Sequence, residues 1–267
     1  MPVASVGEIE LDYERSGSGP PLLLIMGMSG TALHWGEPFL QALRRDFDVI
    51  AYDHRGVGAS SRLEGPITIV QMADDALGLL DALGIDSAHI VGISMGGMVA
   101  QELALAHPER VLTLTLGCTY CGGSGSSLMT PELARRLRDA RRSGDREQAV
   151  RASWEANISP ALVDDADVYA AYSEVSRQRA VAVPVILAQI DAIDAHDTSA
   201  RLAELAMPTL VIHGTADQVL PVENGHLVAS LIPGSRLEIF DGVGHLFFWE
   251  RPDRSAELVR EHATVAA

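Results

Sequence analysis

Six short apolar runs recur along the chain: Pro21–Met26, Asp48–Tyr52, Ala88–Ile93, Val111–Leu116, Thr209–His213 and Arg236–Phe240. They constrain the fold more than any other feature, because an unbroken apolar run of this length is expected of a strand covered on both faces. Ile9–Glu14 instead alternates apolar and polar residues, which predicts an exposed strand near a sheet edge. Between the runs lie helical patterns. In Ile69–Leu83, the residues Val70, Ala73, Leu77, Leu80 and Leu83 recur at spacings of three and four, and Gly84 stands where a helix-ending glycine belongs. Met98–Ala106 and Ser255–His262 are helical by the same reading. Strands alternating with helices predict an α/β fold, a mostly parallel sheet with helices on both faces.

The pattern breaks between residues 122 and 201. After the glycine- and serine-rich stretch Gly122–Ser127 come helical segments around Pro131–Arg142, Asp145–Glu155, Val168–Arg179 and Val185–Ile193, with no convincing strand. This predicts a helical lid (122–201) inserted before the last two strands, the core being 1–121 and 202–267. The formal net charge is −16, yet residues 130–180 hold nine Arg against nine Asp plus Glu. The whole negative balance therefore lies outside residues 130–180.

All 20 basic residues are arginine, and the absence of lysine excludes several mechanisms. A Schiff-base enzyme, a P-loop and a serine–lysine hydrolase each need a lysine amine. The acidic balance argues against a nucleic-acid partner and against anionic membrane surfaces. The first 18 residues lack a basic segment followed by an apolar one, and no apolar run is long enough to span a bilayer. With only two cysteines, a cytoplasmic protein without cofactor or metal is expected.

The sharpest local signal is Gly92-Ile93-Ser94-Met95-Gly96, directly after an apolar run and directly before a helical pattern. Small residues two before and two after the serine allow a tight strand-to-helix turn that lifts its hydroxyl above the sheet, beside a helix N-terminus. An un-ionised serine needs a base. Of nine histidines, His245 follows the last apolar run in a loop, Asp241-Gly242-Val243-Gly244-His245, where open sheets carry their chemistry. His213 and His89 belong to strands and read as structural, His107 as a helix end, and His34, His196, His226 and His262 as helical or lid surface. The orienting acid is expected at Asp217, in the turn Gly214-Thr215-Ala216-Asp217; its rival Asp241, four residues before His245, more naturally shapes the loop. Oxyanion donors are expected from the Met95 amide and, in the loop Gly27-Met28-Ser29-Gly30, from the Met28 amide.

These stretches, together with Asp53-His54-Arg55-Gly56-Val57-Gly58-Ala59-Ser60, resemble the α/β-hydrolase family across nearly the whole chain. The resemblance implies the α/β-hydrolase fold and a structural role for Asp53 and Arg55. It also implies the serine-nucleophile branch, that of esterases, enol-lactonases and cofactor-free haloperoxidase-like enzymes. Many relatives carry His-Gly where this chain has Met26-Gly27. The expected function is hydrolysis of a carboxylic ester or lactone through an acyl-enzyme, on a Ser94–His245–Asp217 triad. C–C bond hydrolysis or perhydrolysis on the same triad, and a ligand-binding receptor with negligible turnover, stay open as alternatives. With imidazole as the base, activity should fall below about pH 6 to 7.

Trp35, Met98, Trp154, Phe247 and Phe248 are candidate pocket residues for a small-molecule substrate with an apolar group, the alternative being ordinary core packing. The lid arginines could bind a substrate carboxylate, although Arg135, Arg138 and Arg142 share one helical face that reads as solvated. Cys118-Thr119-Tyr120-Cys121 has C-x-x-C spacing but follows a strand, the wrong context for a redox site, and has no second pair for zinc.

Overall fold

Each apolar run forms a strand. The computed structural model describes residues 2–179 and 181–266; residues 1, 180 and 267, which the expected domain limits include, lie outside them. The strands are β1 (Val3–Val6), β2 (Ile9–Gly17), β3 (Pro21–Ile25), β4 (Asp48–Tyr52), β5 (Ala88–Ile93), β6 (Val111–Gly117), β7 (Thr209–Gly214) and β8 (Arg236–Phe240). They make one eight-stranded sheet in the order β1-β2-β4-β3-β5-β6-β7-β8. β2 is antiparallel to both β1 and β4, and β3 to β8 are mutually parallel. At the centre Ile25 aligns with Gly92, Ile93 with Gly117, and Gly117 with Ile212. Because these strands run the same way, the loops after β3, β5, β6, β7 and β8 emerge at one edge of the sheet. The edge strand β1 was not marked by the sequence pattern: it is four residues long and buries only Ala4.

The helices are α1 (Glu37–Leu43), α2 (Ile69–Ala82), α3 (Met95–Ala106), α4 (Pro131–Arg142), α5 (Arg146–Asn157), α6 (Ala166–Gln178), α7 (Val183–Asp194), α8 (Glu223–Leu231), α9 (Phe247–Glu250) and α10 (Pro252–Ala263). α1, α9 and α10 cover one face of the sheet and α2, α3 and α8 the other. α2 starts at a capping box: Thr68 Oγ1 accepts from the Gln71 amide at 3.1 Å, and Gln71 Oε1 accepts from the Thr68 amide at 3.0 Å. It ends at Leu83, with Gly84 following at φ +67°. Its buried stripe is Ile69, Met72, Ala73, Ala76, Leu79 and Leu80, so the helix is rotated from the face read in the sequence, and Val70 is exposed. The rotation also buries Asp75, whose carboxylate pairs with Arg55. Among the described residues no helix is long and apolar enough to cross a membrane.

The four helices α4 to α7 stand between β6 and β7 as an insertion. Leu133, Leu137 and Ala140 of α4 pack on Ala152 and Ala156 of α5, while Trp154, Ile158 and Tyr172 form a second small core. Polar contacts tie the insertion to the sheet edge. Arg179, just after α6, pairs with the fully buried carboxylates of Asp12 and Asp53, the latter at 2.7 Å. The other Asp53 oxygen accepts from the Ala32 amide at 2.7 Å. Arg179→Met would strand two buried charges, a loss of about 3–5 kcal/mol. The expected fall in the thermal unfolding midpoint is roughly 5–15 °C; a shift under one degree would show that the clasp contributes nothing.

His196 is buried and His34 half-buried, and desolvation lowers both imidazoles to about 4. An unfolded histidine takes up its proton near pH 6.5, so these two favour folding above that pH. Their contribution is lost as pH falls from 6.5 toward 4, and thermal midpoints measured across that window should decline. His196→Asn should flatten the decline; an unchanged slope would contradict the assignment.

Candidate active site

Ser94 joins β5 to α3 with φ 55° and ψ −125°, a left-handed conformation that is costly for any residue but glycine. The surroundings hold it there. Its amide donates to Gly117 O at 2.9 Å, and its carbonyl accepts from the Gly97 amide at 2.9 Å and from Thr119 Oγ1 at 2.7 Å. The crossing is too tight for side chains on either side. A Cβ at Gly92 would lie 2.3 Å from Gly96 O, and one at Gly96 would lie 2.0 Å from Ile25 O. Every residue from Val91 to Gly97 is buried except Ser94. Met95 opens α3, so its N–H lacks an intrahelical acceptor.

Asp217 lies in the turn after β7, fully buried at its side chain. Its Oδ1 accepts from the amides of Val219 at 2.8 Å and Leu220 at 2.9 Å, which fixes the carboxylate plane. Its Oδ2 accepts from His245 Nδ1 at 2.7 Å. Burial alone would raise this carboxyl, but the attraction of His245 and hydrogen bonds from His213 and His245 outweigh it, and the group is held below the usual carboxylate range. An ionised carboxylate can only accept, so Nδ1 carries the hydrogen and Nε2 is the free basic atom of the neutral His245 ring.

His213, read from the sequence as structural, is buried at the end of β7. Its Nε2 donates to Leu220 O at 2.7 Å and stands 3.3 Å from Asp217 Oδ2. Asp241 accepts from Thr215 Oγ1 at 3.1 Å and so braces the β7 and β8 loops against each other. Glu250, which sequence reasoning missed, braces the His245 loop. Its Oε1 accepts from the Gly244 amide at 2.8 Å and the Ser159 amide at 2.9 Å, and its Oε2 from Ser159 Oγ at 2.6 Å. One carboxylate thus joins the loop carrying His245 to the insertion. No periodicity or motif marked it.

The Gly27–Gly30 loop crosses close above the elbow: a Cβ at Gly27 would lie 3.0 Å from Ser94 Cβ. Met28 is half-buried, and Ser29 takes φ +57° with its amide donating to Gln189 Oε1 of α7 at 2.9 Å. Met26 turns into the core beneath, and its carbonyl accepts from His54 Nε2 at 2.9 Å.

Cys118, Asp217 and His245 place potential metal-ligand atoms within 4.8 Å of one another. Burial pushes the Cys118 thiol well up, and burial also raises Cys121, so neither is a ready thiolate ligand or redox nucleophile. The imidazole and carboxylate are already spent on each other. The donor set suits proton handling better than metal binding.

The five candidate pocket residues lie elsewhere. Trp35 stacks on Phe39 with ring centres 5.8 Å apart and meets Phe248 at a tilt, 4.8 Å away, Phe247 fills the space over Gly117, and Met98 is in the core between the sheet and α2 and α3. Trp154 forms the insertion's own core against Tyr172 and donates Nε1–H to Val163 O at 2.9 Å. All five are buried packing residues, and none lines the cavity found beside the insertion. That cavity, about 300 Å³, opens between the insertion and the Gly27–Gly30 loop, with Ser29, His34, Arg141, Ser153, Tyr172 and Ser176 in its wall. His34, His196 and His262 also correct the surface reading: His196 and His262 are buried and His34 is half-buried, and only His226 of that group is exposed. His34 sits in the turn Ala32–Trp35, pressed between the loop after β3 and α6, where Nδ1 accepts from the Thr31 amide at 3.0 Å and Nε2 is 3.3 Å from Ser176 Oγ.

Comparison with known proteins agrees with this architecture. Residues 20–252 match the family described as alpha/beta hydrolase fold. A protein of Azorhizobium caulinodans, provisionally named carbamate hydrolase RutD, is 36% identical over 97% of each chain. The enol-lactonase from Burkholderia xenovorans LB400 superposes with a TM-score of 0.83 at 29% identity, covering 98% of this chain and 100% of that one. The esterase RhEst1 from Rhodococcus sp. ECU1013 superposes at 0.85 with 26% identity, covering 99% and 98%. With its parallel sheet, strand-to-helix elbow and this breadth of similarity, the chain belongs to the alpha/beta hydrolase family.

Proposed function

We propose that the protein hydrolyses carboxylic esters or lactones through an acyl-enzyme, with Ser94 as nucleophile, His245 as general base and Asp217 as the acid that orients and charges it. The 2.7 Å bond from His245 Nδ1 to an ionised Asp217 carries this reading, because it leaves Nε2 basic on the sheet edge where the Ser94 elbow emerges. In the first half-reaction Nε2 takes the hydroxyl proton as Ser94 Oγ attacks the carbonyl. The oxyanion rests on the amides of Met28 and Met95, and the alcohol leaves with the proton returned by His245. In the second half, water gives its proton to Nε2 and attacks the acyl carbonyl, and Nε2 then returns that proton to Ser94 Oγ as the acid is released. Asp217 stays ionised throughout and stabilises the imidazolium.

The helical insertion, residues 122–201, acts in this reading as the lid. It touches both chemical loops, Gln189 on the Ser29 amide and Ser159 on Glu250, which in turn holds the Gly244 amide. The relative at 36% identity places carbamates in the same test panel, since their carbonyl would meet the same serine.

On p-nitrophenyl acetate or butyrate, Ser94→Ala should lower kcat by at least about a thousandfold with the thermal midpoint nearly unchanged. Retention of most of the activity would overturn the assignment. Asp217→Asn keeps the shape but can fix the wrong imidazole tautomer, so kcat should fall by roughly 10³–10⁴. A loss below tenfold would remove Asp217 from the mechanism. A panel of esters of graded acyl length, lactones, a carbamate and a β-diketone then ranks the substrates.

A further inference from the structure

Three arginines line the cavity beneath the insertion, and their surroundings differ. Arg179 is committed to Asp12 and Asp53, and Arg146 donates to the carbonyl of Ser176 at 3.1 Å. Arg141 is different: among the described residues its guanidinium has no hydrogen bond or ion pair. Burial lowers its pKa. Arg141 is half-buried, so its guanidinium is partly withdrawn from water without a counter-ion, and a bound anion would offset that cost.

The rest of the wall also donates. Tyr172 is buried and protonated, its pKa raised by burial, with its hydroxyl 3.1 Å from Ser153 Oγ. His34 is neutral, and because Nδ1 accepts from the Thr31 amide, Nε2–H faces Ser176 Oγ. The acid in the wall, Asp145, caps α5 by accepting from the Gln148 amide at 3.1 Å. Val150, Val181, Val183 and Ile186 supply the apolar remainder.

We propose that this cavity is an anion subsite in which Arg141, with the Tyr172 hydroxyl, binds a carboxylate of the substrate. The preferred substrates are then esters or lactones that carry a second, free acid group. This rests on the hydrolase reading above for the reacting end; the anion subsite itself does not. Ser29 belongs both to the cavity wall and to the loop that passes over Ser94, and chain geometry puts it within about 10 Å of the nucleophile. An acyl chain of about six to eight carbons reaches from Ser94 to this end of the wall. Arg135, Arg138 and Arg142 of the same helix are exposed, so the inward position of Arg141 is particular. It follows from spacing: Leu133, Leu137 and Arg141 are four apart, and the first two are buried in the contact with α5.

The test compares the mono-p-nitrophenyl esters of adipic and suberic acid with p-nitrophenyl hexanoate and octanoate, which match them in length but lack the carboxylate. The ratio of kcat/KM, acid ester over neutral ester, should fall about ten- to hundredfold in Arg141→Gln, as expected for losing a charge-assisted hydrogen bond. Arg141→Lys should fall between the two, and Tyr172→Phe should lower the ratio less. Arg138→Gln, which removes an exposed charge from the same helix, should leave it unchanged. Calorimetric titration with free suberate gives a readout without turnover: binding to the wild type should weaken by the same factor in Arg141→Gln. A ratio within twofold of wild type in Arg141→Gln, or equal suberate binding by both proteins, overturns the proposal. If the wild type cleaves none of these esters, the hydrolase reading fails and the titration alone decides the subsite.

Discussion

The crossing of β5 into α3 is the constraint on which the rest of the site depends. With 2.3 Å from a would-be Cβ at Gly92 to Gly96 O, and 2.0 Å from one at Gly96 to Ile25 O, the strand and helix can meet only as glycine backbone. That approach forces Ser94 to φ 55°, and the neighbouring strand and Thr119 hold it there through hydrogen bonds on both sides of its peptide units. The strain buys a hydroxyl that stands clear of a sheet whose adjoining residues are all buried. The fold then brings Asp217 and His245 to the same edge, because β5, β7 and β8 run in parallel.

The second dependence is electrostatic. Asp217 is an ionised group in a buried position, which is tolerable only because two backbone amides and two imidazoles face it. The same contacts fix the His245 tautomer. Glu250 performs a parallel service one step out, joining the Gly244 amide to Ser159 of the insertion. The position of His245 is therefore tied to that of the helices above it, so a shift of the insertion would be felt at the imidazole.

Much of this was legible in the residue order. Strands covered on both faces are unbroken apolar runs, so β3 to β8 stood out, whereas β1, with only Ala4 buried, did not. α8 buries Asn224, Gly225 and Val228, and a helix that buries polar and small residues leaves no apolar stripe to read. The candidates Ser94, Asp217 and His245 could be found because each sits in a short glycine-containing turn next to a strand. The large aromatic residues nearest those motifs, Trp35, Phe247 and Phe248, are taken up by packing beneath the sheet edge, which their place in the sequence does not disclose. The cavity wall is instead polar and cationic, built from residues far apart in the chain, and no local pattern brings His34 to Tyr172 or Arg141. Histidine burial is similarly invisible locally, since an imidazole in a loop or helix reads alike whether it faces water or the core.

The central claim is that Ser94 is an activated nucleophile. Reaction with a fluorophosphonate, followed by intact-mass measurement and peptide mapping, tests it directly, because such reagents phosphonylate a serine only when a base and oxyanion donors act on it. One adduct per chain is expected, on Ser94, formed rapidly in the wild type and orders of magnitude more slowly in Asp217→Asn. No adduct, or an adduct on another residue, would contradict it.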